Sequence, residues 1–316
     1  MLSVWAAPPQ AAAWIEGLVA MRLGTAQRLT QFPALPHAML TVQLLPAPRA
    51  GAAALCGPVA FHTLSTVPMR HGHAGGITAL GLLVRPAAAA CLLGRACGAQ
   101  VDQVLRWSVI AGESEGARLD DALDRAPDHR TRLRELLSSF GRAMAAAAPA
   151  RHEDHLRLCE AVGRHGAQAG ALLGLGPRQL QRRCQAVLGL SPKPFQRLVR
   201  FHRVLGDSVA CAALPPQGLA MLALEGGYFD QSHLARESRL LAGASLGALR
   251  SAARPDSAWW PLMTRQHLGR APEQAAAHGP RAAFAPGAGA AFVESAGRPG
   301  ALRAISPGGG SATARA

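Results

Sequence analysis

Two hydrophobic rhythms divide the chain. In residues 1–150, short apolar runs alternate with Pro and Gly. Leu40-Thr41-Val42-Gln43-Leu44-Leu45, the stretch from Gly57 to Val67 and that from Ile77 to Val84 read as strands with partial period-two alternation. Pro86 then stands where a first helical position would, and Ala87 to Leu93 form a helix that Gly94 stops. A longer helix is predicted from Asp128 to Ala147, because Leu133, Leu136, Leu137, Phe140 and Met144 recur at helical spacing. Asp120, Asp121 and Asp124 read as a solvated helix face. Strands followed by helices make this half an α+β arrangement.

From Arg151 to Arg254 the pattern is almost entirely helical, punctuated at Gly174, Gly189, Pro215-Pro216, Gly226-Gly227 and Gly243. Short helices with tight turns follow from that spacing. Residues 255–316 are Ala, Gly, Pro, Ser and Arg without period and end in Gly308-Gly309-Gly310-Ser311. Such a tail buries too little apolar surface to offset its chain entropy, so it is expected to be disordered. Trp259-Trp260-Pro261-Leu262 is the one part of it apolar enough to fold back. The expected fold class is therefore an α+β N-terminal domain (1–150), an all-α domain (151–254) and a disordered C-terminal tail (255–316).

Charge changes this picture. The formal net charge is +14 and Lys193 is the only lysine; half of the excess, +7, falls in residues 151–254. A surface that binds phosphate needs that concentration of cations, although an Arg- and Ala-rich composition can also reflect codon usage. Met1 to Ala20 lacks the positive start of a secretory signal, and no run is long and apolar enough to span a bilayer. The six cysteines include no Cys-x-x-Cys pair, so reduced thiols in a cytoplasmic protein are expected.

Two stretches carry candidate chemistry. Ala167 to Cys184 reads as a short helix, a glycine-centred turn and a second helix opened by Pro177. In that second helix Leu180, Cys184, Val187 and Leu188 share one face, leaving Arg178, Gln179, Gln181, Arg182 and Gln185 on the other. Arg takes guanine and Gln takes adenine through paired hydrogen bonds, so this face suits the major groove. The second stretch, Gly218 to Ser238, places Asp230 as an N-cap before a helix that turns Leu234, Ser238 and Leu241 inward and Gln231, Ser232, His233, Arg236 and Arg239 outward. Between them, Ser191-Pro192 opens a helix made basic by Lys193, Arg197, Arg200 and Arg203. Running from Pro192 to Gly206, it is expected to be a rigid spacer of about 20 Å. Units at either end of it suit successive major grooves, which lie roughly 34 Å apart. The plain alternative for each polar run is a solvated helix face, and for His233 a purely structural place beside the cap.

These blocks, with Leu188-Gly189-Leu190-Ser191-Pro192-Lys193, Gly227-Tyr228-Phe229-Asp230-Gln231-Ser232-His233-Leu234 and Ala242-Gly243-Ala244-Ser245 to Leu249-Arg250, give a sequence that resembles the AraC family of bacterial regulators. The resemblance implies two helix-turn-helix subdomains joined by a long helix, binding asymmetric promoter sites in double-stranded DNA. Arg178, Gln179, Gln181 and Arg182 from the first recognition helix and Gln231, Ser232, His233, Arg236 and Arg239 from the second are then the expected DNA-binding residues. Lys193 and Arg197 are expected to meet phosphate. Cys184 and Ser238 stand where that family has a core Phe, Gly176 where it has a capping Ser, and Leu246 where it has Pro; Met221 and Leu241 are candidates to refill the space. Ala79 to Ala90 and Leu92-Leu93-Gly94 bear a loose similarity to the sensory or dimerisation halves of such regulators. A small-molecule effector, RNA polymerase and a second copy of the chain are the further partners implied.

A different class of function, a thiol- or metal-reactive N-terminal domain targeted to DNA, would draw on His37, His62, Arg70-His71-Gly72-His73, Cys91 and Cys97. Two histidines flanking a glycine are common in loops, and the cysteines read as small core residues. No Ser/His/Asp set, phosphate loop or paired carboxylates stand out, so neither catalysis, a cofactor nor a metal is expected.

Overall fold

Strands dominate the N-terminal part of the computed structural model, which describes residues 2–26, 29–46, 53–73, 76–94, 99–147, 151–210 and 218–251. β1 (Leu2–Ala6), β2 (Ile15–Arg22), β8 (Thr78–Val84), β4 (Ala38–Pro46), β6 (Ala60–His62) and β9 (Val104–Arg106) lie side by side in that order, all antiparallel. β5 (Ala53–Leu55) pairs with the far end of β4. A separate ribbon of β3 (Leu29–Phe32) and β7 (Met69–Gly72) covers one face.

The sheet is buried on both sides, and successive side chains go to different cores as the pleat requires. Leu40, Val42 and Leu44 of β4 and Leu80, Leu82 and Val84 of β8 pack on one face with Trp107, Leu123, Leu136 and Phe140. Met39 and Leu83, one residue out of phase, join Val19, Met21 and Phe32 on the other. The helices behind the first face are α1 (Pro86–Leu93), α2 (Trp107–Ala111), α3 (Glu113–Arg125) and α4 (His129–Ala146). Asp128 caps α4 by accepting the Thr131 amide at 2.7 Å, and Gly94 ends α1 at φ 56°. Trp107 Nε1 donates to Ser139 Oγ, which donates to Glu115, and Arg142 pairs with that carboxylate at 2.7 Å. Burial acts to raise the Glu115 pKa, but the bonds from Arg142 and Ser139 hold it below the usual range.

The expected strand from Gly57 to Val67 is strand only over Ala60–His62. Its remainder is loop, exposed at Gly57, Pro58 and Val67 but buried over Thr63 to Ser65, where Ser65 and Leu35 exchange backbone bonds at 3.0 Å and Ser65 Oγ accepts the Leu35 amide. β1 and β2 arise from residues for which no strand was expected.

The rest is helical: α5 (His152–His165), α6 (Ala169–Leu172), α7 (Pro177–Leu188), α8 (Pro192–Ala210), α9 (Gly218–Glu225), α10 (Gln231–Ala242) and α11 (Leu246–Ser251). The chain is thus a β-rich N-terminal region followed by a helical part. Ala34, Leu64, Ala87 and Ala90 from the first region sit in the core of the second. Residues 255–316, with Trp259-Trp260, lie outside the described residues.

Candidate nucleic-acid interface

The first unit is built by α6 and α7 against α5. Gly174 turns the chain at φ +64°, and the Leu175 amide reaches back to Gly170 O at 2.8 Å. A Cβ on Gly170 would lie 2.8 Å from the carbonyl oxygen of Leu175, so only glycine permits this approach. α7 then buries Leu180, Cys184, Val187 and Leu188 and exposes Arg178, Gln179, Gln181, Arg182 and Arg183. Gly176 has no side chain to cap α7; the Gln179 side-chain oxygen accepts the Gly176 amide at 3.0 Å instead. Gln179 is therefore half-committed to its own helix, with its amide NH2 left for other contacts. Burial pushes the Cys184 thiol up to about 11, leaving it a neutral core atom.

The spacer α8 has 19 residues and runs past the expected end at Gly206. It buries Phe195, Leu198, Phe201, Val204 and Leu205 between the units and exposes Lys193.

In the second unit, Gly226 lies so close to α8 that an added Cβ would collide with Val204 Cγ2, and Gly227 turns at φ +77°. Asp230 caps α10 by accepting the His233 amide at 2.6 Å. Leu234, Ser238 and Leu241 face inward, while Gln231, Ser232, Arg236 and Arg239 are exposed and His233 is half-buried. Ser238 Oγ donates to Ala244 O at 2.8 Å, so this small residue satisfies its polar atom. Leu241 is buried beside it, but Met221, the other candidate to fill the space, is 57% exposed. It faces water because α9 turns its Leu222-Ala223 side to the core.

α10 also carries a charge that sequence reading passed over. Glu237 is 4% exposed, on the inward face beside Leu234. Its carboxylate accepts bonds from Arg200 at 3.0 and 3.1 Å, from Arg197 Nε at 3.3 Å and from the Tyr228 hydroxyl at 3.0 Å, with His233 Nε2 at 3.8 Å. The Arg200 guanidinium lies 4.3 Å from the Tyr228 ring centroid. Burial alone would lower the Arg200 pKa, yet Glu237 raises it on balance; burial and the Glu237 charge both raise that of Tyr228. Arg197, expected at phosphate, also ties α8 to α10 through its bond to Glu237. An acidic residue at an inward helical position was the signal available for this network.

The two polar faces are thus displayed on helices seated on one spacer, and their outward residues are exposed among the described residues. The backs of these helices do touch it. The Ala34 amide donates to Leu241 O at 2.6 Å, and His202 Nε2 of α8 donates to Ala34 O at 2.7 Å. Burial, aided by His37, lowers the His202 pKa to about 3, so it is the neutral donor tautomer. Along this seam runs a cleft of about 770 Å³, lined by His37, Arg85, Leu156, Phe195, Val199 and Arg203 among others.

Of the histidines and cysteines considered for metal or thiol chemistry, His62 and His71 line a small cavity of about 40 Å³, and burial lowers both pKa values. Cys91 Sγ lies 3.6 Å from His155 Nδ1, where burial raises the thiol pKa despite Arg151 nearby. Among the described residues no group of three or more His, Cys, Asp or Glu is arranged to hold a metal ion. Cys97 lies outside the described residues. No helix among them is long and apolar enough to cross a membrane.

No protein family and no curated protein matches the sequence. Among solved structures the chain is similar to ToxT from Vibrio cholerae. One such structure is 10% identical over 73% of this chain and 97% of that one, with a TM-score of 0.40. ToxT bound to (E)-4-(8-methylnaphthalen-1-yl)but-3-enoic acid is 10% identical over 73% and 99% of the two chains, with a TM-score of 0.39. Wild-type ToxT with an unsaturated fatty acid bound is 8% identical over 79% and 94%, with a TM-score of 0.34.

Proposed function

We propose that this chain is a sequence-specific, DNA-binding transcriptional regulator of the AraC type and not an enzyme. Residues 151–254 are the double helix-turn-helix domain, and residues 1–150 a sensory or dimerisation domain through which a small effector or a second copy modulates it. The observation that carries the reading is that α7 and α10 each bury an apolar face against the same spacer and expose Arg and Gln on the other. At ~1.5 Å per residue the 19 residues of α8 span about 28 Å, close to the roughly 34 Å between successive major grooves. Arg178, Gln181 and Arg182 read bases from the first helix, and Gln231, Ser232 and Arg236 from the second. Lys193 and Arg239 lie at phosphate, and Gln179 and His233 divide their bonding between DNA and their own helix. The seam cleft has a volume suited to a small effector, since ligand pockets run to about 300–1,000 Å³. A cytoplasmic location and contact with RNA polymerase belong to this function.

The test is fluorescence anisotropy of the full chain with duplexes enriched from a random pool. Binding should be specific and should weaken as salt rises, with a log–log slope of about −0.9 per phosphate contacted. Arg178→Ala and Arg182→Ala should each cost about 1–3 kcal/mol on the enriched duplex. Equal affinity for enriched and random DNA, or no loss in either variant, rules the reading out.

A further inference from the structure

Phe229 is 87% exposed, the most exposed large apolar side chain among the described residues. It holds the position before the Asp230 cap, from which an apolar side chain commonly folds down onto the fourth residue of the helix. Here that residue, Leu234, is 2% exposed without it, because Tyr228 fills the core instead at 3%. The backbone on either side is pinned. The Tyr228 amide donates to Ala223 O at 2.8 Å, and the Asp230 carboxylate holds the first turn of α10. Phe229 is therefore displayed by a fixed turn, just ahead of the exposed Gln231 and Ser232 in the first turn of α10.

Charge sharpens the point. Residues 218–251 carry Arg236, Arg239 and Arg250 against Glu225, Asp230 and Glu237, so the second unit has no net cationic excess. Counterion release, which drives most non-specific binding to duplex, favours the first unit and the spacer. The second unit must gain its affinity from bases. An aromatic ring in the major groove meets one apolar feature there, the thymine methyl group, and an adjacent Gln pairs with adenine.

We infer that Phe229 is a specificity-determining residue that packs on a thymine methyl, so that the second half-site carries an A·T-containing element read jointly with Gln231. The inference rests on the regulator reading above. The ring at position 229 contributes apolar contact and no charge, whereas Arg178 and Arg182 give the first half-site its guanine preference.

The test uses the full chain and the duplexes enriched from a random pool. Thymines of the second half-site are replaced one at a time by deoxyuridine, which removes the methyl and nothing else. The wild-type chain should lose about fourfold in affinity at one position, the factor that one buried methyl group is worth. Phe229→Ala should bind the thymine and uracil duplexes alike, more weakly than wild type on thymine, with an unchanged salt slope. Wild-type indifference to every methyl, or a Phe229→Ala chain that keeps the thymine preference, overturns the inference alone. So does a variant that binds DNA normally but loses self-association, which would assign the ring to a protein contact. A pool that yields no sequence overturns the regulator reading and this inference together.

Discussion

Replacing Glu237 by Ala tests how α10 is held. The carboxylate is 4% exposed and receives two arginines and a tyrosine hydroxyl, and the Arg200 guanidinium also lies over the Tyr228 ring. Removing one member of a buried pair costs about 3–5 kcal/mol, because the remaining charge is left without compensation. The Arg200 and Arg197 side chains are 24% and 35% exposed, so water relieves part of that cost and the lower end, about 3 kcal/mol, applies. For a folding unit of this size each kcal/mol moves the midpoint by about 2–4 °C, giving a fall of roughly 6–12 °C in thermal unfolding followed by circular dichroism. Glu237→Gln keeps the shape and one acceptor but not the charge, so it should recover only part of that loss. Arg200→Met with Glu237→Leu exchanges the pair for apolar contact and should recover most of the Glu237→Leu loss. A midpoint unchanged from wild type for Glu237→Ala, or a double variant no better than Glu237→Leu, refutes the idea that this pairing seats α10.

Three further outcomes follow from the same geometry. Gly226→Ala forces a methyl into Val204 and to within 2.9 Å of the Leu222 carbonyl; overpacking of this kind costs about 1–3 kcal/mol, and urea midpoints should show it, whereas an unchanged midpoint means the turn relaxes freely. Asp230→Ala removes the α10 cap, worth about 1 kcal/mol, and should speed hydrogen exchange at the Gln231 to His233 amides while leaving α7 untouched. Acid should destabilise the fold through His62 and His202, whose pKa values fall from 6.5 to about 3 on burial. Below pH 6.5 the unfolded chain takes up protons that the fold refuses until near pH 3, so each histidine removes about 1.4 kcal/mol per pH unit across that window and nothing above it. Melting curves from pH 7 to 5 check the sign, and His202→Gln should flatten the slope; equal midpoints at both ends would mean these imidazoles do not stay neutral in the fold.

The helices were legible because their ends are chemical. Asp128, Pro177 and Asp230 open them, and Gly94, Gly189 and Gly243 close them with positive φ. The strands were less legible because both faces of the sheet are covered. Leu40 and Met39, or Leu82 and Leu83, are all buried but in different cores, so polar residues mark the alternate positions only in part, at Thr41 and Gln43 of β4 and at none of Ala79, Gly81 and Leu83 of β8. The stretch from Gly57 to Val67 is apolar for another reason: Leu64 belongs to the helical core, and Ser65 serves Leu35. At the candidate interface, the outward residues of α7 and α10 follow from helical period alone. Arg197, Glu237 and Phe229 do not, since their roles depend on which element packs against α10, a fact that a linear pattern does not contain.

That dependence extends to the N-terminal region. The last carbonyls of any helix lack partners within it and need donors from elsewhere. In α10 the Gly243 amide serves Arg239 O, and Leu241 O is served by Ala34, a residue more than two hundred positions earlier in the chain. Ala34 directly follows β3 and Pro33, and its own carbonyl is held by His202 of the spacer. Phe32 at the end of β3 is packed into the sheet core with Met21 and Met39. One short segment therefore links the interior of the β-rich region, the spacer and the end of α10 through buried contacts with no slack residue between them. A shift of β3 relative to α8 must either break the Ala34–Leu241 bond, leaving a buried carbonyl without a donor, or carry α10 with it.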